Sequence, residues 1–182
     1  LDSSLVFKCD LDLSKARVID IGTGAGFPAI PIKIMEPGIQ MTCLDSLNKR
    51  IGFIQKVLQE LDISNVELIH GRAEDFGQDL KYREQFDIAV SRAVAELRLL
   101  LELVMPFVKV GGYFIAYKSL KSEQEVLDSE HALKVLGCKI MEIKTFVLPG
   151  DSGTRDIIIV RKVAKTPVKY PRKPGIPKKS PL

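Results

Sequence analysis

Short apolar runs alternate with amphipathic stretches along most of the chain. Residues 17–21 are a brief strand-like run ending in glycines, and residues 28–36 follow as a helix stopped by Pro37 and Gly38. Residues 40–44 read as the next strand. Over 48–61 the side chains of Ile51, Ile54, Val57, Leu58 and Leu61 fall at helical spacing. A third strand is expected at 66–70 and a fourth at 86–91, separated by a polar stretch with room for one short helix. Leucine-rich 95–108 predicts a buried helix, and 109–112 a turn into a fifth strand at 113–118. Residues 122–136 predict one amphipathic helix, closed by Gly137 where a left-handed residue is wanted.

The pattern then changes. Residues 138–148 and 155–163 are two strand-like runs joined by the turn-forming segment Pro149-Gly150-Asp151-Ser152-Gly153, with no helix between them, so they are expected to pair antiparallel. Alternating β and α elements predict an α/β, Rossmann-like fold: a doubly wound, mostly parallel sheet that ends here in a C-terminal antiparallel hairpin, with ligands at the carboxyl ends of the strands. Residues 1–163 are expected to form one domain and 164–182 a basic, proline-rich tail. Five of the ten prolines lie in 166–182, which has no apolar period and cannot build a core of its own.

Charge sharpens this division. Eight of the 27 Lys and Arg residues lie in 161–182, which contains no acid, so the rest of the chain is net acidic. A basic tail on such a body suits a polyanionic partner, although charge runs are also ordinary solvated surface. Cys9, Cys43 and Cys138 lack CxxC spacing and suit a reducing cytoplasm rather than a disulfide framework. With only His70 and His131 besides, no metal is expected, and no apolar run reaches membrane-spanning length.

Candidate chemistry concentrates at the first strand-to-helix turn, Asp20-Ile21-Gly22-Thr23-Gly24-Ala25-Gly26-Phe27-Pro28. Glycines let a backbone turn sharply and approach a ligand. The GxGxG spacing, with Asp20 two residues ahead of it, differs from the GxGxxG that cradles a dinucleotide pyrophosphate. A carboxylate there repels phosphate and suits the cationic amino-acid end of S-adenosylmethionine. Asp45, at the end of the second strand, can accept the two hydroxyls of a ribose, and Asp45 or Ser46 could also cap the following helix. Gly71-Arg72-Ala73-Glu74-Asp75, after the third strand, would border the adenine.

Ser91-Arg92-Ala93 ends the fourth strand, where methyl donor and acceptor would meet. The Asn/Asp-Pro-Pro-Tyr motif of exocyclic-amine methylation is absent here, and so is a nearby cysteine nucleophile for pyrimidine carbon methylation. A purine ring nitrogen needs neither, only alignment. Arg92 could hold the O6 or N7 edge of guanine, or close a surface ion pair. Two rivals stand beside this reading: a dinucleotide-dependent oxidoreductase, disfavoured by GxGxG with Asp20, and an RNA-binding module that performs no chemistry.

Taken together, DIGTGAGFPAIP (20–31), LDSLNKR (44–50), GRAED (71–75), SRA (91–93), Tyr117-Lys118 and YPRKPGIPKKSP (170–181) resemble the glucose-inhibited division protein B family across essentially all 182 residues. The family methylates guanine N7 in bacterial small-subunit (16S) ribosomal RNA. The resemblance implies a class I S-adenosylmethionine-dependent methyltransferase. Asp20, Gly22, Thr23, Gly24, Gly26, Phe27, Asp45, Ser46, Ala73, Glu74 and Arg92 would form the cofactor set, Lys49, Arg50, Arg72, Lys118 and Arg155 would meet RNA, and Arg92 and Lys118 would serve the chemistry. It implies ribosomal RNA or the assembled small subunit as partner, with no membrane and no obligate protein. Leu1-Asp2-Ser3 is similar to the end of the family's helical N-terminal segment, so further residues are expected ahead of it. Lys49 and Arg50 sit in a first helical turn, where cations oppose the macrodipole, which itself favours a functional reason for them.

Overall fold

A computed structural model describes residues 2–92, 95–118, 122–150 and 153–182. Leu1, Ala93 of the SRA stretch and Asp151-Ser152 of the hairpin turn lie outside the described residues. A seven-stranded sheet runs through the middle in the order β3-β2-β1-β4-β5-β7-β6. Its strands are β1 (Arg17–Ile21), β2 (Gln40–Asp45), β3 (Val66–His70), β4 (Phe86–Arg92), β5 (Val108–Lys118), β6 (Cys138–Val147) and β7 (Thr154–Lys162). The first five are parallel; β7 enters antiparallel between β5 and β6. The order reverses between β1 and β4, which opens a crevice at their carboxyl ends.

The helices are α1 (Ala29–Met35), α2 (Asn48–Glu60), α3 (Ala73–Phe76), α4 (Leu97–Val104), α5 (Ser122–Leu127), α6 (Glu130–Val135) and α7 (Ile176–Lys179), with a 3-10 segment at Asp2–Lys8. They cover the sheet on two sides and divide its apolar residues into two cores. One joins Ile19, Phe86, Leu97, Phe107, Phe114 and Ile158; the other joins Val18, Ile32, Ile54, Ile88, Tyr117 and Ile157. Among the described residues no helix is long and apolar enough to cross a membrane.

Three expectations are corrected. The helix expected over 95–108 is shorter: α4 gives way to a 3-10 turn at Met105–Phe107 around Pro106, which has no N–H to continue the ladder. Val108 already pairs with Phe86, so the expected turn at 109–112 is part of β5, with Gly111 at φ +90 and a register shift between Phe86 and Ile88. The single helix expected over 122–136 is two, because the hydroxyl of fully buried Ser129 bonds back to the Glu125 carbonyl at 2.6 Å and replaces a helical backbone partner. Gly137 does close α6 with φ +70.

Residues 166–182 follow the last strand. They form no core of their own, yet they pack closely. Tyr170 is buried in the larger core, and Arg83 donates to the carbonyls of Gly77, Thr166, Pro167 and Tyr170. Arg172 makes a forked pair with Glu102, which is 1 % exposed, at 2.8 and 2.5 Å. Backbone carbonyls that a tail would leave to water are instead satisfied by side chains of the body.

Candidate active site

The loop after β1 is held by the ends of its neighbours. The N–H groups of Gly22 and Thr23 both donate to the Leu44 carbonyl, at 2.8 and 3.2 Å. Gly24, at φ +61, donates its N–H to Asp45 Oδ2 at 2.9 Å. Gly26 has φ +89, and a Cβ there would stand 2.6 Å from Cγ1 of Ile30, so the loop lies on α1 only because this position lacks one. Gly26 thus shapes the loop from behind.

Asp20 lies fully buried beneath this loop. Its Oδ2 accepts from the Thr23 hydroxyl at 2.8 Å and the Ala29 N–H at 3.3 Å, while Oδ1 has no partner. Burial pushes its pKa up to about 7, against the opposing effect of those two hydrogen bonds and of the nearby Arg92 charge. An unpartnered acidic oxygen below a glycine loop suits a cation above it.

Asp45 ends β2 with its carboxylate 2 % exposed. Oδ1 accepts from the Leu47 N–H at 2.9 Å; Oδ2 accepts from Gly24 and from Arg50 Nη1 at 3.2 Å. The N-cap position of α2 is Leu47 and carries no side-chain cap; Asp45 instead supports the turn just ahead of it, and Ser46 is exposed. A carboxylate offers about four acceptor sites, and three are taken, so two ribose hydroxyls fit only if one partner leaves. The two backbone donors are fixed by the fold. The half-exposed Arg50 is the one able to move.

Two clefts adjoin here. The larger, about 760 Å³, is bordered by Gly22, Thr23, Gly24, Phe27, Lys49, Arg50, Phe53 and Arg92. The smaller, about 330 Å³, is bordered by Asp45, Ser46, Arg72, Ala73 and Glu74, and again by Gly22 and Arg50. Glu74 reaches further: its Oε1 accepts the N–H of Gly175 at 3.2 Å, tying the adenine-side loop to the C-terminal segment. Arg92 stands over the Phe27 ring, 5.1 Å from its centroid, and pairs with Asp2 at 3.4 Å.

The remaining expected residues lie apart from both clefts. Arg155 shares Asp2 with Arg92, at 3.4 Å. Lys118 is 7 % exposed and holds both the Ala95 carbonyl and Glu125, each at 2.5 Å, while Glu125 accepts the first N–H of α4 from Leu97. Phe53 and Leu47 also border the larger cleft, and neither is among the site residues expected from sequence. A large aromatic off the apolar stripe of Ile51, Ile54 and Leu58 was the available signal.

A sheet of this order, with a glycine loop and an acid at the ends of β1 and β2, defines an α/β methyltransferase. The fold is shared with the precorrin-6y C5,15-methyltransferase of Geobacter metallireducens, with a TM-score of 0.64 and 17% identity, covering 88% of this chain and 86% of that one. A family model described as rRNA small subunit methyltransferase G matches residues 1–164. Proteins named ribosomal RNA small subunit methyltransferase G are 47% identical in Alkaliphilus metalliredigens and 50% identical in Thermoanaerobacter sp. (strain X514), each over 100% of this chain and 76% of the relative. The chain belongs to the rRNA small subunit methyltransferase G family. It is an S-adenosylmethionine-dependent enzyme, and the unpartnered Asp20 oxygen, the Asp45 acceptor and the two adjoining clefts fit that cofactor.

Proposed function

We propose that the chain transfers the methyl group of S-adenosylmethionine to N7 of a guanine in bacterial 16S ribosomal RNA, in the cytoplasm, on the RNA or on the assembled small subunit. The observation that carries this reading is the larger cleft. The glycine loop faces Lys49, Arg50 and Arg92 across one space that has no carboxylate among the described residues lining it. A cationic, partly aromatic cleft against a methyl-donor site suits a nucleobase on a phosphate chain.

Bound there, the cofactor supplies an electrophilic methyl on a sulfonium. Asp45 would take the ribose hydroxyls as Arg50 withdraws, Glu74 and Ala73 would border the adenine, and Asp20 would place negative charge beneath the amino-acid end. Neutral guanine N7 needs no general base, so the protein's task is orientation. Attack leaves positive charge on the guanine, so Arg92 acts by holding the O6 edge, once freed from Asp2. Lys118 acts as a positioning residue: with Glu125 it fixes the start of α4, directly after the β4 end that presents Arg92.

Single-turnover transfer to small-subunit ribosomal RNA, followed by nucleoside analysis, tests the reading. The expected product is 7-methylguanosine. Arg92→Ala should lose about 10²-fold in rate while cofactor affinity holds within a few-fold. Methylation of any other atom overturns the acceptor assignment.

A further inference from the structure

We propose that the solvent face of α2 that carries Lys49, Gly52, Phe53 and Lys56 is a track for single-stranded RNA. Phe53 would stack on one unpaired base, and Gly52 would let the sugar-phosphate backbone come against the helix. This rests on the RNA-methylating reading and adds to it a place where the strand enters.

Positions 49, 52, 53 and 56 are neighbours on one side of a helix, and the opposite side is committed to the core through Ile51, Ile54 and Leu58. Phe53 is 51 % exposed and belongs to neither apolar core. It borders the larger cleft together with Leu47 and Phe27, which are 52 % and 46 % exposed. Large apolar side chains grouped around a concave surface mark a binding face. Its charge indicates the partner: from Asn48 to Gln59 the helix carries Lys49, Arg50 and Lys56 and no acid.

Gly52 is the independent observation. Glycine weakens the interior of a helix, and here nothing inside the protein asks for it. Its φ is an ordinary negative one, and a Cβ added there would meet no atom within 4 Å. A glycine that neither the backbone nor the packing needs, set between two lysines and an aromatic, is explained by something outside the chain that must lie close. A phosphate backbone meets that need, with lysines for its charge and a ring for a base. Duplex RNA hides its base faces and would leave Phe53 unused, which selects a single strand.

The chain has no tryptophan, so Phe53→Trp creates a single fluorescent reporter on the track. Its emission should be quenched by a short single-stranded oligoribonucleotide and not by the same sequence as a duplex. Phe53→Ala should weaken RNA binding and raise KM for ribosomal RNA by about tenfold or more, the worth of one base stack, with cofactor affinity unchanged. Lys49→Ala and Lys56→Ala should each lower the log-log salt slope of binding by about 0.7. Gly52→Ala discriminates best. It should raise Tm by about 2 to 4 °C, as alanine does in a helix, and still weaken RNA binding. A stabilised Gly52→Ala protein with wild-type RNA affinity overturns the track, and so does quenching by duplex alone or by an acidic peptide in place of RNA. The binding measurements need no methyl transfer. A wild type that binds RNA through this face yet methylates no ribosomal RNA therefore defeats the parent reading and not this one.

Discussion

The glycine loop at 20–28 and the C-terminal segment 166–182 reach the smaller cleft from different sides. Gly22 borders the smaller cleft, and Gly175 donates to Glu74, which borders it as well. The loop is shaped largely by its own residues, although its amides also rest on Leu44 and Asp45. Its glycine torsions, its buried acid and its closeness to α1 are properties of consecutive residues. The tail is held instead by Arg83, Gln78, Glu84 and Glu102, from remote parts of the chain, and mostly through its backbone carbonyls and amides. A binding loop can thus be recognised by its own residues, whereas a docked tail is recognised only by what receives it.

The largest expected effect falls on the tail. Arg172→Ala strips the buried Glu102 of its cation and leaves it only the N–H of residue 172, and should lower unfolding free energy by about 3 kcal/mol, near the lower end for such a pair because that bond remains and the arginine is itself partly exposed. Urea denaturation measures this, and a change under about 0.5 kcal/mol would mean that the tail is a passenger. Removing residues 165–182 should weaken cofactor binding as well, because the N–H of Gly175 is then lost to Glu74, and calorimetry on the truncated chain measures this.

The next two predictions address the loop side. Asp45→Ala should cost about 1.5 to 3 kcal/mol of cofactor affinity, since a charged acceptor is lost. Calorimetry showing unchanged affinity in a folded variant would remove Asp45 from the site. Asp20 predicts a pH effect. Its carboxyl sits raised at about 7, so in the free protein it is largely neutral below that pH, and the fold loses stability as pH climbs from the usual carboxylate range towards 7. A cationic ligand end favours the ionised form, so cofactor binding should release a proton. Affinity should fall about tenfold from about pH 8 to about pH 6. Asp20→Asn should flatten that profile, and a flat wild-type profile would show that the carboxylate and the cofactor do not sense each other.

The smallest effect is expected at Arg50. Arg50→Gln removes the guanidinium that competes for the buried Asp45, and the arginine side of that pair is half-exposed to water. Cofactor affinity should stay equal or rise slightly as RNA affinity falls. A clear loss of cofactor affinity would mean that Arg50 holds the cofactor rather than making way for it.

The βα units were legible because their periods are local, and β1 and β3 run as the spacing predicted. The start of β5 was not, because Val108 continues an apolar run that reads as helix, and only its pairing with Phe86 makes it strand. The break at Ser129 was hidden because a serine inside an amphipathic pattern does not announce a bond back to Glu125. The places of Asp20 and Asp45 near the ends of β1 and β2 were legible from the spacing. The fate of Lys118 was not: its burial against Glu125 depends on α5, nothing in its own neighbourhood. Gly52 was legible in principle, since a mid-helix glycine always asks for a reason.

One consequence of the strand order concerns how such a chain is made. β5 is an interior strand of the sheet, yet the strand that covers its far edge, β7, is the last one in sequence. While the polypeptide emerges from the ribosome, Phe114, Ile115 and Ala116 and the free hydrogen-bonding edge beside them must wait for Thr154–Lys162 to be translated. Closure is therefore late and long-range, and a nascent chain halted before residue 154 would present a sticky, unpaired margin to quality control.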